Sequence, residues 1–179
     1  MVNSDYNILK DWMFGKLASL LENTEPNPQY SILKMSLGEP TLGVPDFTKK
    51  ILDLNYEDWA KYPPSEAIPS LGNSILNYIK RRYPGAEKLI KLNKNIVPVP
   101  GTREPLHLVG LLAKNLKVGK TTALVTNPFY HAWLAGSISS GSKVIWLDSL
   151  TENNYLPDIL NIPEKILQSS VIMYICTPS

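Results

Sequence analysis

The residues from Asn95 onward constrain the fold most strongly, because short apolar runs alternate there with longer helical segments. Strands are predicted at 96–99, 121–126, 143–147 and 171–176, and helices at 104–116, 130–140 and, with weaker periodicity, 156–168. Strands separated by single helices have the spacing of βαβ units, whose strands pair in parallel and are buried. The sequence therefore predicts an α/β fold with a mostly parallel sheet and flanking helices.

The first half of the chain is less regular. An amphipathic helix is predicted at 5–22, a linker at 25–28, a short strand at 31–37, and helices at 45–54 and 71–82. Tyr62-Pro63-Pro64 predicts a rigid extended segment, because proline restricts the residue before it. Pro84-Gly85 ends the last of these helices.

Two stretches that follow predicted strands carry candidate chemistry. In 97–104 an apolar strand is predicted to break at Gly101 into a helix, whose unpaired N–H groups favour an anion such as phosphate. In 126–130 the next strand ends at Tyr130, whose ring can stack on a flat group. Either stretch alone is more typical of a plain turn or a packed ring. Together, at the carboxyl ends of parallel strands, they indicate a planar phosphorylated cofactor.

Composition excludes several classes of function. The chain has 179 residues, enough for one sizeable domain or one with a small companion, and a net charge of +2 that does not suggest nucleic acid as a partner. No signal peptide begins the sequence and no apolar run is long enough to cross a membrane, so no membrane association is predicted. Cys176 is expected to be a buried small hydrophobic residue, and a single cysteine indicates a reducing cytoplasm.

Other candidate motifs lack the neighbouring residues or structural elements that their function requires. Val118-Gly119-Lys120-Thr121 resembles the end of a Walker A loop, but Lys114 stands where the first glycine is needed, and the segment leads into a strand. His107 and His131 have no ligand partner at metal spacing, so packing or surface roles are expected and no metal site is predicted. The sequence lacks both G-x-G-x-x-G and G-x-S-x-G.

Five motifs together resemble the pyridoxal-phosphate-dependent aminotransferases of class I/II, which have the type I fold. They are Leu37-Gly38-Glu39-Pro40, 61–65 with 68–71, Gly101-Thr102-Arg103-Glu104-Pro105-Leu106, Thr126-Asn127-Pro128-Phe129-Tyr130, and 176–179. Within that family the chain is most similar to succinyldiaminopimelate aminotransferases, which implies an amino-acid substrate such as N-succinyl-diaminopimelate or glutamate and a 2-oxo acid.

The resemblance implies roles for the cofactor-binding residues. The backbone N–H groups of Thr102 and Arg103 would bind the phosphate of pyridoxal phosphate, and Gly101 would permit the close turn. Tyr130 would stack on the pyridine ring. Tyr62 would reach the neighbouring subunit and bind its phosphate, which implies a homodimer.

For the substrate, the resemblance places Gly38 where the carboxylate meets a backbone amide. The chain departs from the family pattern at Ala67, Gly72 and Pro105. Gly72 lies in a predicted helix, where glycine costs about 1 kcal/mol relative to alanine. Pro105 is tolerable in a first helical turn but removes one amide donor.

The resemblance also implies that the Schiff-base lysine lies beyond Ser179, so no catalytic residue is assigned and the chain alone is expected to be inactive. Residues 1–45 would form an arm and part of the small domain, and 46–179 the first part of the large cofactor domain. Three interpretations stay open. In the first, the chain is part of an aminotransferase from a split or truncated gene and is completed by a C-terminal polypeptide. In the second, it is a non-catalytic remnant that binds a phosphorylated ligand or a partner. In the third, it belongs to a related lyase or synthase.

Overall fold

A computed structural model describes residues 7, 13–33, 35, 38, 40–63 and 69–177. The helices are α1 Met13–Leu21, α2 Asp46–Leu54, α3 Pro69–Arg82, α4 Leu92–Asn95, α5 Arg103–Leu116, α6 His131–Ser139 and α7 Glu164–Ser169. The strands are β1 Thr122–Asn127, β2 Lys143–Asp148 and β3 Ser170–Tyr174, and short 3₁₀ helices cover Tyr56–Ala60, Ala86–Leu89 and Thr151–Asn153.

The chain forms two compact units, each with its own packing. One comprises Met1–Thr24 and Val99–Ser179, and the other comprises Glu25–Pro98. The first unit contains the sheet. The predicted assignment of 1–45 and 46–179 to an arm and a cofactor domain is not tested by this division and stays a prediction.

The sheet has the order β2-β1-β3, and β1 pairs in parallel with both neighbours. Ala123, Leu124 and Val125 in β1 are at most 1% exposed. A central strand that is buried on both faces is typical of βαβ architecture. The predicted α/β fold with a parallel sheet and flanking helices is confirmed.

Helices α5 and α6 cross at two glycines. A Cβ atom at Gly136 would lie 2.5 Å from the carbonyl oxygen of His107, and one at Gly110 would lie 3.0 Å from the carbonyl of Gly136. Only residues without a side chain allow the two backbones to approach so closely. This contact fixes the separation of the two helices that follow the Gly101 turn and the 126–130 motif.

An aromatic cluster joins α6 to β3. Trp133 stacks on Tyr174 with ring centroids 5.4 Å apart and planes 12° apart, and Val125 completes the buried group. The hydroxyl of Tyr174 donates a hydrogen bond of 3.1 Å to the carbonyl of Leu106 in α5. The half-buried ring of Tyr130 packs against this cluster. The first turns of α5 and α6 are thus anchored to the sheet.

Two predicted strands are wrong. Of the predicted strand at 31–37, the described residues 31–33 and 35 are irregular, and Ile32, Leu33 and Met35 are at least 69% exposed. Residues 96–99 are also irregular, although Ile96 has an extended backbone. Pro98 has no N–H to give to a ladder, and no strand among the described residues pairs with either segment.

Two predictions near the C-terminus also need correction. The helix expected at 156–168 is only Glu164–Ser169, because Pro157 and Pro163 cannot continue a helix and Pro163 precedes its first residue. The strand expected at 171–176 ends at Tyr174, where its ladder with Val125 ends. Cys176 therefore lies outside the sheet and is exposed rather than buried.

The remaining helices agree with the sequence. The predicted helices at 45–54 and 71–82 are α2 and α3, and α1 lies within the helix predicted at 5–22. Gly72 in α3 is buried, and a Cβ there would lie 2.4 Å from Cδ2 of Leu92, so a larger residue would require the Leu92 side chain to move. Within the described ranges no helix is both long and apolar enough to cross a membrane.

Candidate functional site

The turn before α5 has the geometry of an anion site. Gly101 has a φ of 106°, in the left-handed region that favours glycine, and a Cβ there would enter open space. Thr102 precedes the helix without a side-chain cap, and the first helical bond runs from the N–H of Leu106 to the carbonyl of Thr102 at 3.1 Å. The N–H groups of Arg103 and Glu104 precede that bond and have no partner within the helix. Pro105 adds no donor.

The end of β1 forms the second part of the site. The side-chain amide of Asn127 donates a hydrogen bond of 2.9 Å to Oδ1 of Asp148, which ties the ends of β1 and β2 together. The Asn127–Pro128 peptide bond is cis. Phe129 contacts Trp146 with ring centroids 5.0 Å apart. Tyr130 then leads directly into α6.

A hydrogen-bonded pair joins the two parts. Nε and Nη2 of Arg103 lie 3.1 and 2.8 Å from Nε2 of His131. Arg103 follows Thr102 in the chain and His131 follows Tyr130, so this contact brings the glycine turn and the tyrosine to the same place. The ring centroids of Tyr130 and His131 are 4.5 Å apart.

The charge state of His131 follows from this geometry. A guanidinium group donates hydrogen bonds and cannot accept them, so Nε2 must be the acceptor and the ring is neutral with its proton on Nδ1. Burial of the ring, and secondarily the positive charge of Arg103, lower the pKa of His131 from its usual 6.5. Both causes favour the neutral ring, which is the form that can accept a hydrogen bond from Arg103.

A cavity of about 380 Å³ opens between the first turns of α5 and α6. Its lining residues are Arg103, Glu104, His107, Leu108, His131, Ala132 and Ala135. The lining combines charged and titratable groups with the apolar side chains of Leu108, Ala132 and Ala135. A group that enters the cavity therefore meets the Arg103–His131 pair.

Two buried polar atoms in this unit have no hydrogen-bond partner among the described residues. They are the hydroxyl of Thr126, in β1, and the indole N–H of Trp133, in α6. Buried donors are nearly always paired in native proteins. Each therefore has hydrogen-bonding capacity that a ligand or further polypeptide could use.

Two predicted site residues belong to the other unit. Tyr62 is 99% exposed, and Gly38 is also exposed. Neither has a described contact that tests its expected role, so both roles stay predictions. The roles of Gly101, Thr102, Arg103 and Tyr130 also stay predictions, although the structure places these four together.

The contact of His131 was not predicted. A packing or surface role was expected for this residue, whereas the imidazole accepts hydrogen bonds from Arg103. The sequence did contain a signal for this contact, because Arg103 directly follows Thr102 and His131 directly follows Tyr130. Lys114 also has a defined contact, since its ammonium group donates to the carbonyl of Lys120 at the far end of α5.

Comparisons with known proteins find aminotransferases. No protein-family model matches the chain. The chain is 28% identical to an LL-diaminopimelate aminotransferase of Dehalococcoides mccartyi over 152 residues, which are 83% of this chain and 37% of the relative. It is 25% identical to an aspartate aminotransferase of Pyrococcus horikoshii over 171 residues, which are 92% of this chain and 40% of the relative.

A solved structure gives the architecture. An aminotransferase of Neisseria meningitidis superposes with a TM-score of 0.85 at 23% identity, over 99% of this chain and 44% of that one. The chain has the aminotransferase fold. It spans less than half the length of each of these proteins.

Proposed function

We propose that this chain forms the phosphate-binding part of a pyridoxal-phosphate-dependent enzyme that transfers amino groups. The observation that carries the proposal is the hydrogen-bonded contact of Arg103 with His131, because it brings an uncapped helix start and Tyr130 together. The relatives named aminotransferases support amino-group transfer as the reaction.

The residues present fit the cofactor. A phosphate dianion needs N–H donors, positive charge and room, and these are supplied by the uncapped start of a 14-residue helix, by Arg103, and by the open side of Gly101. The half-buried ring of Tyr130 would stack on the pyridine ring. When bound, pyridoxal phosphate would act as the electron sink of the reaction. The residues of this chain would hold its phosphate, fix the plane of its ring and exclude water from one face.

The substrate and partner are also proposed. The relatives include LL-diaminopimelate aminotransferases, so a diamino dicarboxylic acid, in free or N-succinyl form, is the proposed amino donor class. Gly38 would contact its carboxylate through the backbone. A homodimer, in which the exposed Tyr62 reaches the neighbouring subunit, or a complementing polypeptide would complete the site. A cytoplasmic location stays part of this proposal.

The test compares two ligands that differ only in phosphate. Titration of the full chain with pyridoxal phosphate, followed by tryptophan fluorescence, should give saturable binding, and pyridoxal should bind much more weakly. Arg103→Ala should weaken binding of pyridoxal phosphate, and Arg81→Ala, a change in the other unit, should not. Equal affinity for pyridoxal and pyridoxal phosphate would contradict the proposal.

A further inference from the structure

Helix α5 has apolar side chains on a face that is turned away from α6. Gly110 marks the face toward α6, because a Cβ there would lie 3.0 Å from the carbonyl of Gly136. Val109, Leu112 and Leu116 recur at helical spacing and share a face centred roughly 130° around the helix from Gly110. These three side chains, the outer face of α5, are 36%, 56% and 71% exposed. An apolar face that a packed helix leaves uncovered is typical of a surface that meets another protein.

Strand β3 lies at one edge of the sheet. It pairs with β1 on one side, and among the described residues no strand pairs with its other side. Residues 170–174 include no charged residue and no proline. β2, at the opposite edge, begins at the exposed Lys143 and ends at the exposed Asp148. Charged residues protect an edge from pairing with another chain, so β3 is the edge that lacks this protection.

The outer face of α5 and the free edge of β3 lie on the same side of their unit. Helix α6 contacts β1 and β2, whereas α5 contacts α6 and β3. The hydrogen bond from Tyr174 to the carbonyl of Leu106 is part of that contact between α5 and β3. Because the strand order is β2-β1-β3, α5 lies over the outermost strand, and its outer face is turned toward the free edge. One partner can therefore cover both surfaces.

A second copy of the chain can do so through a single two-fold axis. Two β3 strands that meet edge to edge around such an axis run antiparallel, and each contributes the same residues. With Ile172 on the axis, Val171 of one copy lies opposite Met173 of the other, and residues that lie opposite each other share a face of the sheet. The two α5 helices then lie side by side and are also antiparallel.

Charge favours this antiparallel arrangement of α5. Its first turn contains Glu104, Lys114 is in its last turn, and Lys117 directly follows the helix. Arg103, also in the first turn, is turned toward α6 by its contact with His131. In an antiparallel pair the acidic start of each helix lies beside the basic end of the other, and the two helix dipoles oppose each other. Parallel helices would bring like charges together.

We propose that two copies of this chain associate through the edges of β3 and the outer faces of α5, so that their two sheets become one. A stable interface takes about 800 Å² from each partner, more than a short strand edge supplies, so the helix face is needed as well. This surface lies in the unit that contains the sheet, whereas Tyr62 belongs to the other unit. The association does not depend on the cofactor or on the proposed contact of Tyr62.

Sedimentation equilibrium of the full chain is the first test. The mass should rise with concentration to twice the 20.0 kDa of the single chain. Leu112→Lys should weaken association at least about tenfold, because each pair loses the burial of two leucine side chains. Leu150→Lys, the matched control, changes a leucine of equal exposure that follows β2, and it should associate as the wild type does. Both leucines are more than half exposed, so neither change should unfold the chain.

A charge exchange tests the orientation of the helices. Glu104→Lys should weaken association, because it places a lysine beside Lys117 of the second copy. The double variant Glu104→Lys, Lys117→Glu restores opposite charges and should recover most of the lost affinity. If the double variant associates no better than Glu104→Lys, the antiparallel contact of α5 is wrong.

Amide hydrogen exchange locates the contact within the chain. The β3 amides that do not bond to β1 should become protected as the concentration rises, and the edge amides of β2 should not. Three results would overturn the inference. They are a chain that stays monomeric at millimolar concentration, a mass that grows beyond that of a pair, and a pair in which the β3 amides stay unprotected.

The same measurements keep this inference separate from the proposed function. Tyr62→Ala should associate as the wild type does, because Tyr62 lies outside the surface. If Tyr62→Ala abolishes the pair and Leu112→Lys does not, the subunit contact of the proposed function is supported and the β3 interface is wrong. If the pair forms through β3 but pyridoxal phosphate binds no better than pyridoxal, the interface stands and the proposed function fails.

Discussion

Arg103 donates two hydrogen bonds to Nε2 of His131, at 3.1 and 2.8 Å, and so connects residues that are 28 positions apart. The contact joins the first turn of one helix to the first turn of the next. Each turn follows a motif of the candidate site. The geometry of the site therefore depends on the spacing of α5 and α6 as well as on the motifs themselves.

The glycine before α5 should be needed for both stability and anion binding. Gly101→Ala places a Cβ on a backbone with φ of 106°, which should lower the free energy of unfolding by about 1–2 kcal/mol. The strained turn should also bind pyridoxal phosphate more weakly, because the amides that follow it move. Urea unfolding and fluorescence titration measure the two effects.

Gly119→Ala is the matched control for that change. Gly119 has a φ of 84° and equally open surroundings, but it lies beyond the other end of α5. It should lose a similar free energy of unfolding and keep its ligand affinity. A parallel loss of affinity in both variants would show that the effect is general strain rather than the position of the turn.

The helix crossing should tolerate no side chain at Gly136. An added Cβ would meet the backbone oxygen of His107 at 2.5 Å, and a backbone atom cannot move aside as the end of a side chain can. Gly136→Ala should therefore destabilise the protein by about 1–3 kcal/mol. Gly15→Ala, in an open position of α1, should instead be neutral or stabilising by about 0.5–1 kcal/mol. Chemical denaturation of both variants tests this.

The ring of Tyr130 should contribute to cofactor affinity through its face. Tyr130→Leu should weaken binding of pyridoxal phosphate by about 0.5–1.5 kcal/mol, the usual range for an aromatic contact, whereas Tyr130→Phe should retain most of the affinity. Phe129→Leu is the control, because Phe129 contacts Trp146 and has no proposed ligand contact. If Tyr130→Leu bound as tightly as the wild type, the stacking role would be wrong.

Stability should fall in mild acid because of His131. Its pKa is lower in the folded protein than the usual 6.5, so the unfolded chain binds more protons as the pH falls below that value. The free energy of unfolding is then unaffected by this group above about pH 6.5, and decreases as the pH falls toward the folded-state pKa. Thermal unfolding in chloride buffers should show a smaller acid dependence for His131→Gln than for the wild type, and an equal acid dependence in the two proteins would contradict this prediction.

The sequence was sufficient to predict the part of the fold in which helices and strands pack on each other. The central residues of β1, for example, are apolar because both faces of the strand are covered, and its neighbouring strands follow at regular spacing. The predicted strands at 31–37 and 96–99 were wrong because an apolar run does not reveal whether another strand will pair with it. Cys176 was misplaced for a related reason, since the ladder of β3 ends at Tyr174.

In the candidate site, the backbone turn could be predicted and the side-chain contact could not. The conformation of Gly101 follows from local geometry, so the glycine itself indicates it. The Arg103–His131 contact depends on how closely α5 and α6 approach, and that distance is set by Gly110 and Gly136, far along each helix. No local pattern around His131 contains this information.

Pro105 affects how the site responds to ionic strength. A first helical turn with three amide donors binds an anion largely through neutral dipoles. In α5 the third residue, Pro105, has no N–H, so more of the attraction depends on the full charge of Arg103. Interactions of full charges at an exposed site are screened by salt over a Debye length of about 8 Å at physiological concentration. Phosphate affinity of this chain should therefore decline more steeply with added salt than that of Pro105→Ala.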